Sequence, residues 1–177
     1  GFETYSQATV NGATGDEPTC WNRPYPREAI AAVPQICKGP AYASSGNFAL
    51  MLKSQCVYAM PELKIDNISV SDLQMELYVK QPYAKNQLEV GVLENLNGDA
   101  SFTPVATINN DGTGITQQFI DFSSYTGTGK IIAFRNSNSD GSTDYAYNFI
   151  DDINIFIANS QNDCGITMLP HNEGFET

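Results

Sequence analysis

The segment Tyr145–Ile157, YAYNFIDDINIFI, places two adjacent carboxylates inside an otherwise apolar run. On a regular strand its alternate positions Tyr147, Phe149, Ile153, Ile155 and Ile157 share one face, and Asp151 falls among them. A carboxylate on the buried side of a strand costs several kcal/mol unless a partner compensates it. A cation is one such partner, and a calcium ion, which takes six to eight hard oxygens, is the one expected here. Whether Asp151 or Asp152 binds depends on a bulge that would re-aim the strand. A second oxygen-rich stretch, Asn136–Asp144 (NSNSDGSTD), copies the opening of an EF-hand loop with Asn136, Asn138 and Asp140 before Gly141. Its twelfth position is Tyr147 where the bidentate glutamate belongs, so a hairpin loop rich in turn formers is expected instead.

Catalytic constellations find little support. His171 is the only histidine and stands beside Pro170, which leaves Ser/His/Asp and Cys/His arrangements without a base. Asp151 and Asp152 would point to opposite faces of a regular strand, a poor pair for glycoside hydrolysis. Asn67-Ile68-Ser69 matches a glycosylation sequon. Trp21, the single tryptophan, and Tyr25 sit in a Pro/Gly-rich region and are the candidate ligand contacts, because flat aromatic rings stack on sugar faces. The alternative for Trp21 is a lid on the end of the core.

The elements that must position these residues are strands. Asn47–Lys53, Val57–Met60, Leu63–Ile68, Leu73–Val79, Leu88–Val92, Pro104–Ile108, Gln117–Phe122, Lys130–Arg135 and Tyr145–Ile157 carry the strand signal. Asn97-Gly98-Asp99, Asp111-Gly112 and Gly127-Thr128-Gly129 punctuate them. Eight or nine strands without a long helix predict an all-β, two-sheet antiparallel sandwich, most simply a jelly roll. Residues 5–47 are interrupted so often by Gly and Pro that they read as irregular, with one helical turn possible over Arg27–Val33.

Nine Lys+Arg against twenty Asp+Glu give a net charge of −11, which argues against nucleic acid or an anionic membrane as partner. No apolar run reaches the roughly 20 residues of a membrane span. Cys20, Cys37, Cys56 and Cys164 lack metal-ligand spacing. Cys20–Cys37 is the favoured local disulfide, with buried free thiols as the alternative. GFET at Gly1–Thr4 returns in EGFET at Glu173–Thr177, which suggests a tandem array with a period of about 173 residues. The expected division is a domain over 1–158 and, over 159–177, a linker leading into the next repeat.

The order of motifs carries a resemblance. Phe2-Glu3 is followed by PTCW (Pro18–Trp21), SGNFALML (Ser45–Leu52), YAMPEL (Tyr58–Leu63), LQMELYVK (Leu73–Lys80) and LEVGVLEN (Leu88–Asn95). FTPVATI (Phe102–Ile108), YTGTGKIIAFR (Tyr125–Arg135), YNFIDDINI (Tyr147–Ile155) and Cys164 before Leu169-Pro170 complete the series. Over nearly its whole length the chain resembles the cleaved-adhesin, MAM-like jelly-roll repeats of secreted Bacteroidetes surface proteins, some of which form haemagglutinin regions of large proteases.

The resemblance implies a galactose-binding-like β-sandwich without catalytic activity, secreted or on the bacterial surface, used for adhesion or carbohydrate contact and often holding a structural calcium. It maps the family's glutamate onto Glu3, its paired aspartates onto Asp151 and Asp152, and its glycine-containing segment onto Ser45–Asn47. Glu3, Asn47 and Asp151 or Asp152 are therefore the expected calcium ligands. The acidic D-x-D-G-D loop of some relatives is absent between residues 5 and 25, so their second calcium site is not expected. The implied partners are a glycan or a host surface protein, together with neighbouring repeats of the same chain. A passive spacer in a surface stalk and an accessory domain of a secreted protease or glycoside hydrolase are the rival readings.

Overall fold

A computed structural model describes residues 21–25, 35–53, 57–64, 66–97, 101–109, 114–141 and 147–158. Ten strands occur among them: β1 (Asn22–Tyr25), β2 (Gln35–Lys38), β3 (Phe48–Lys53), β4 (Val57–Ala59) and β5 (Leu73–Lys80), then β6 (Asn86–Leu93), β7 (Phe102–Asn109), β8 (Ile115–Asp121), β9 (Ile131–Asn138) and β10 (Tyr147–Ile157). They form two five-stranded sheets, β1-β4-β9-β6-β7 and β2-β3-β10-β5-β8, antiparallel throughout. Without β1 and β2, the orders β4-β9-β6-β7 and β3-β10-β5-β8 are the two facing sheets of an eight-stranded jelly roll. The expected sandwich is present.

Period-two burial explains why these segments become strands. Leu73, Met75, Leu77 and Val79 of β5 are buried in the space between the sheets, while Gln74, Glu76, Tyr78 and Lys80 face outward. Leu88, Val90 and Val92 of β6 and Ile132 and Phe134 of β9 supply the facing layer. Each sheet also buries a smaller cluster on its outer face. Val57, Ala59, Leu93, Phe102, Ile131 and Ala133 form one on the first sheet; Cys37, Ala43, Ala49, Met51 and Phe149 form the other on the second.

At one end the space between the sheets is polar. Gln81, Asn86, Asn136 and Asn148 are all buried there. Gln81 Nε2 donates to the carbonyls of Asn86 (3.1 Å) and Ile108 (3.2 Å) and to Asn148 Oδ1 (2.7 Å). Asn148 Nδ2 donates to the Gln87 carbonyl (3.0 Å) and to Asn136 Oδ1. Side chains of the second sheet thereby tie to backbone of the first. At the turn before β9, the Tyr125 hydroxyl accepts the Gly129 amide (2.9 Å), and a Cβ at Gly127 would lie 2.3 Å from that oxygen. The spacing Y-T-G-T-G thus makes room for a buried phenol.

Three sequence expectations need correction. Asn22–Tyr25 and Gln35–Lys38, read as irregular, are short edge strands; edge positions tolerate Pro24, which cannot donate to a ladder. The segment around Leu63–Ile68 forms no strand among its described residues. The connection after β9 is no hairpin, because β9 and β10 lie in different sheets. Asn136 and Asn138 are buried residues of β9 itself. The possible helical turn at 27–33, the proposed linker at 159–177 and the repeated GFET lie outside the described residues.

Candidate functional site around Asp151

Asp151 is 1 % exposed, but it is not on the face predicted. The ladder between β10 and β5 pairs Asp151 with Tyr78 and Asn154 with Glu76, so Asp152 and Ile153 together oppose Leu77. This is a β-bulge, and Asp152 adopts the left-handed backbone (φ 47°) that accommodates it. The extra residue reverses the alternation. Ile150 faces the main core before the bulge, and Ile153, Ile155 and Ile157 face it afterwards. Phe149 and Asp151 therefore lie on the outer face, apart from the three isoleucines with which a regular strand would group them.

What buries Asp151 is the nine-residue loop 39–47 joining β2 to β3. The Gly39 amide bonds the Asn47 carbonyl (2.7 Å) to close this loop, and Gly46 takes a left-handed φ of 59° within it. Tyr42 stacks on Phe149 at a centroid distance of 4.5 Å, and Ala43 is buried beside it. The loop then presents its backbone amides to the carboxylate. Ser44 N and Ser45 N donate to Asp151 Oδ2 at 2.9 and 3.2 Å, and the Ser45 hydroxyl donates to Asp152 Oδ1 at 2.9 Å. Lys80 Nζ donates to the Ala41 carbonyl (2.6 Å) and lies 5.6 Å from the centre of the Tyr42 ring.

Asp151 Oδ1 is buried and has no hydrogen-bond partner. Burial pushes the Asp151 pKa above the ordinary carboxylate value, and the neighbouring Asp152 charge adds to this; the amides of Ser45, Asp152 and Ser44 act in the opposite direction. A buried carboxylate oxygen without a donor, beside a second carboxylate, fits a cation better than it fits an apolar contact. Among the described residues no three His, Cys, Asp or Glu side chains come together. Asn47 belongs to the same loop as Ser44 and Ser45 and is exposed. Glu3 lies outside the described residues.

The remaining candidates fall elsewhere. Trp21 is half-buried, packs against the main core and stacks on Phe134 (6.0 Å between centroids, 12° between planes). Tyr25 pairs with Val57 through its backbone at the edge of the first sheet, and its side chain lies outside the described residues. Cys37 is a free, buried thiol, so the expected Cys20–Cys37 disulfide is not formed. Its Sγ turns into the outer cluster of the second sheet, 3.7 Å from Met51 Sδ, and burial raises its pKa. Cys20, Cys56 and Cys164 lie outside the described residues, as does His171. Sequence reasoning missed Ser44 as a partner of Asp151, since a backbone donor leaves no trace in residue type.

No family model matches the sequence, and no curated protein is significantly similar to it. Solved structures do share its fold. The K1 cleaved adhesin domain of Lys-gingipain from Porphyromonas gingivalis superposes with a TM-score of 0.59 at 18 % identity, covering 87 % of this chain and 97 % of that one. The K2 cleaved adhesin domain of Lys-gingipain gives 0.59 at 14 % identity, over 82 % of this chain and 95 % of the other. The CBM22-1 xylan-binding domain from Paenibacillus barcinonensis gives 0.54 at 15 % identity, over 84 % and 91 %. The resemblance read from the motifs holds at the level of fold.

Proposed function

We propose that this chain is a non-catalytic extracellular binding module, one repeat of a surface adhesin, that contacts a glycan or a host surface protein. The observation that carries this reading is its jelly roll, shared along nearly its full length with two adhesin domains and a xylan-binding domain. An acidic chain suits a neutral sugar or a basic protein surface better than nucleic acid. No helix of the described residues is long and apolar enough to cross a membrane.

A structural calcium ion belongs to this proposal, held by Asp151 with Asp152, Asn47 and Glu3 as the further candidate ligands. The unpartnered Oδ1 of Asp151 is what supports it. The ion would supply positive charge that keeps both aspartates ionised. Loop 39–47, already bonded to both side chains, would then be clamped to β10. Half-burial of Trp21 favours the rival reading, a passive spacer, because that ring is partly spent on packing.

Two measurements test the proposal. Metal-stripped protein titrated with calcium should gain about 2.7 kcal/mol at a hundredfold excess over Kd. That gain is a rise of several degrees, at roughly 2–4 °C per kcal/mol for a chain of this size. Asp151→Asn should abolish the rise, and an unchanged wild-type melting curve removes the ion. Binding to a glycan array and to host-cell surface proteins, in calcium and in chelator, tests the module itself. Silence on both would leave the spacer reading.

A further inference from the structure

The outer face of the second sheet differs from one side to the other. Toward β2 and β3 it is roofed by loop 39–47; toward β8, the edge strand, it is open. Phe119 stands on the open side and is 69 % exposed, the most exposed large apolar side chain among the described residues. A single exposed phenylalanine is ordinary. Its neighbours make this one informative.

The register sets them out. Phe119 of β8 lies opposite Glu76 of β5, which lies opposite Asn154 of β10. On one side the next row is Gln117, Tyr78 and Asp151; on the other it is Asp121, Gln74 and Phe156. Tyr78 is thus diagonal to Phe119, about 7–8 Å away across neighbouring strands. Phe156 closes the opposite corner. Gln117 Nε2 donates to Glu76 Oε1, so an amide and a carboxylate are already aligned between the rings. Loop 39–47 covers the Asp151 corner; with strands about 4.8 Å apart and same-face residues about 7 Å apart, the open remainder of the three rows fits within roughly 10 by 14 Å.

We infer that this β5–β8–β10 face is a binding platform for a neutral glycan, with Phe119 and Tyr78 as stacking rings and Gln117, Glu76 and Asn154 as hydroxyl partners. The inference deepens the proposed binding function and rests on it. Aromatic rings alternating with amide and carboxylate groups match the apolar faces and hydroxyl rims of sugar rings. The charge excludes acidic glycans. Glu76 and Asp121 are negative, and Lys80, the lysine of this face, is engaged by the Ala41 carbonyl and the Tyr42 ring. The size argues against a folded protein partner, since a stable interface buries about 800 Å² on each side.

Affinity electrophoresis through gels containing xylan, β-glucan or galactomannan, with polygalacturonate as the acidic control, tests the platform. At least one neutral polysaccharide should retard the wild-type chain, and polygalacturonate should not. Phe119→Ala should weaken the retarding interaction at least tenfold with an unchanged melting temperature, and Phe119→Trp should retain it. Retardation of Phe119→Ala equal to wild type would place the glycan elsewhere and overturn this site alone. Retardation by polygalacturonate only would overturn the neutral-glycan assignment. No retardation in any gel would remove the glycan reading itself, and this platform with it.

Discussion

Asp151 meets opposing demands that a single residue cannot reconcile. Two loop amides stabilise its charge through Oδ2, while burial of Oδ1 without a donor penalises it, and burial prevails. The folded-state pKa is therefore raised, and the metal-free fold binds this proton more tightly than the unfolded chain does. The stabilisation is fully present below the ordinary value of 3.8 and is lost as pH rises through the raised pKa. In chelator, any stability deficit of wild type relative to Asp151→Asn should shrink as pH falls from neutral toward that window. Thermal melts of both proteins across pH check this, and a widening deficit would contradict it. The calcium ion proposed at this site would reverse the preference, because an adjacent cation favours the ionised form.

At the scale of elements, β10 is decided by one extra residue. Asp152 lets the strand bury Ile150 and then Ile153, which strict alternation forbids, and it releases Asp151 to the other face. Deleting Asp152 removes the bulge and sets Ile153 alone opposite Leu77, so Ile150, Ile153, Ile155 and Ile157 should stay on the core face and the protein should stay folded. Asp152→Gly keeps the residue count and suits the left-handed backbone, so it should stay folded within about 1 kcal/mol of wild type despite losing the Ser45 contact. Urea denaturation checks both variants, and an unfolded deletion variant would show that the bulge itself is required. The β5 and β6 strands were legible because their apolar residues alternate, and β9 because Ile131–Phe134 is a short continuous apolar run bounded by turn residues. β1 and β2 were not, since four residues at an edge carry too little periodicity to be read.

Across the whole molecule, the two sheets are held by more than the apolar layer between them. Gln81 and Asn148 of the second sheet's chain segments reach carbonyls of β6 and β7 in the first. A buried amide network of this kind fixes how the sheets face one another, and its loss leaves several groups unpaired together. Asn148→Ala should cost roughly 2–4 kcal/mol, because it removes three hydrogen bonds and takes the Asn148 donor from the Gln87 carbonyl and from Asn136 Oδ1. Chemical denaturation reads that cost; a change under 1 kcal/mol would show that the apolar layer alone sets the sandwich.

The sequence by itself determined the all-β class, most strand positions and the acidic charge. Each follows from side-chain period and composition, which are local properties of the chain. Tertiary structure alone decided which face Asp151 occupies, because a bulge is defined by two residues opposing one across a ladder. It alone decided that Cys37 points into an outer cluster, that Ser44 and Ser45 amides receive the carboxylate, and that Phe119, Tyr78 and Glu76 meet on one open face. Those facts depend on the register between strands far apart in sequence, and register is a property of pairs that no single segment records.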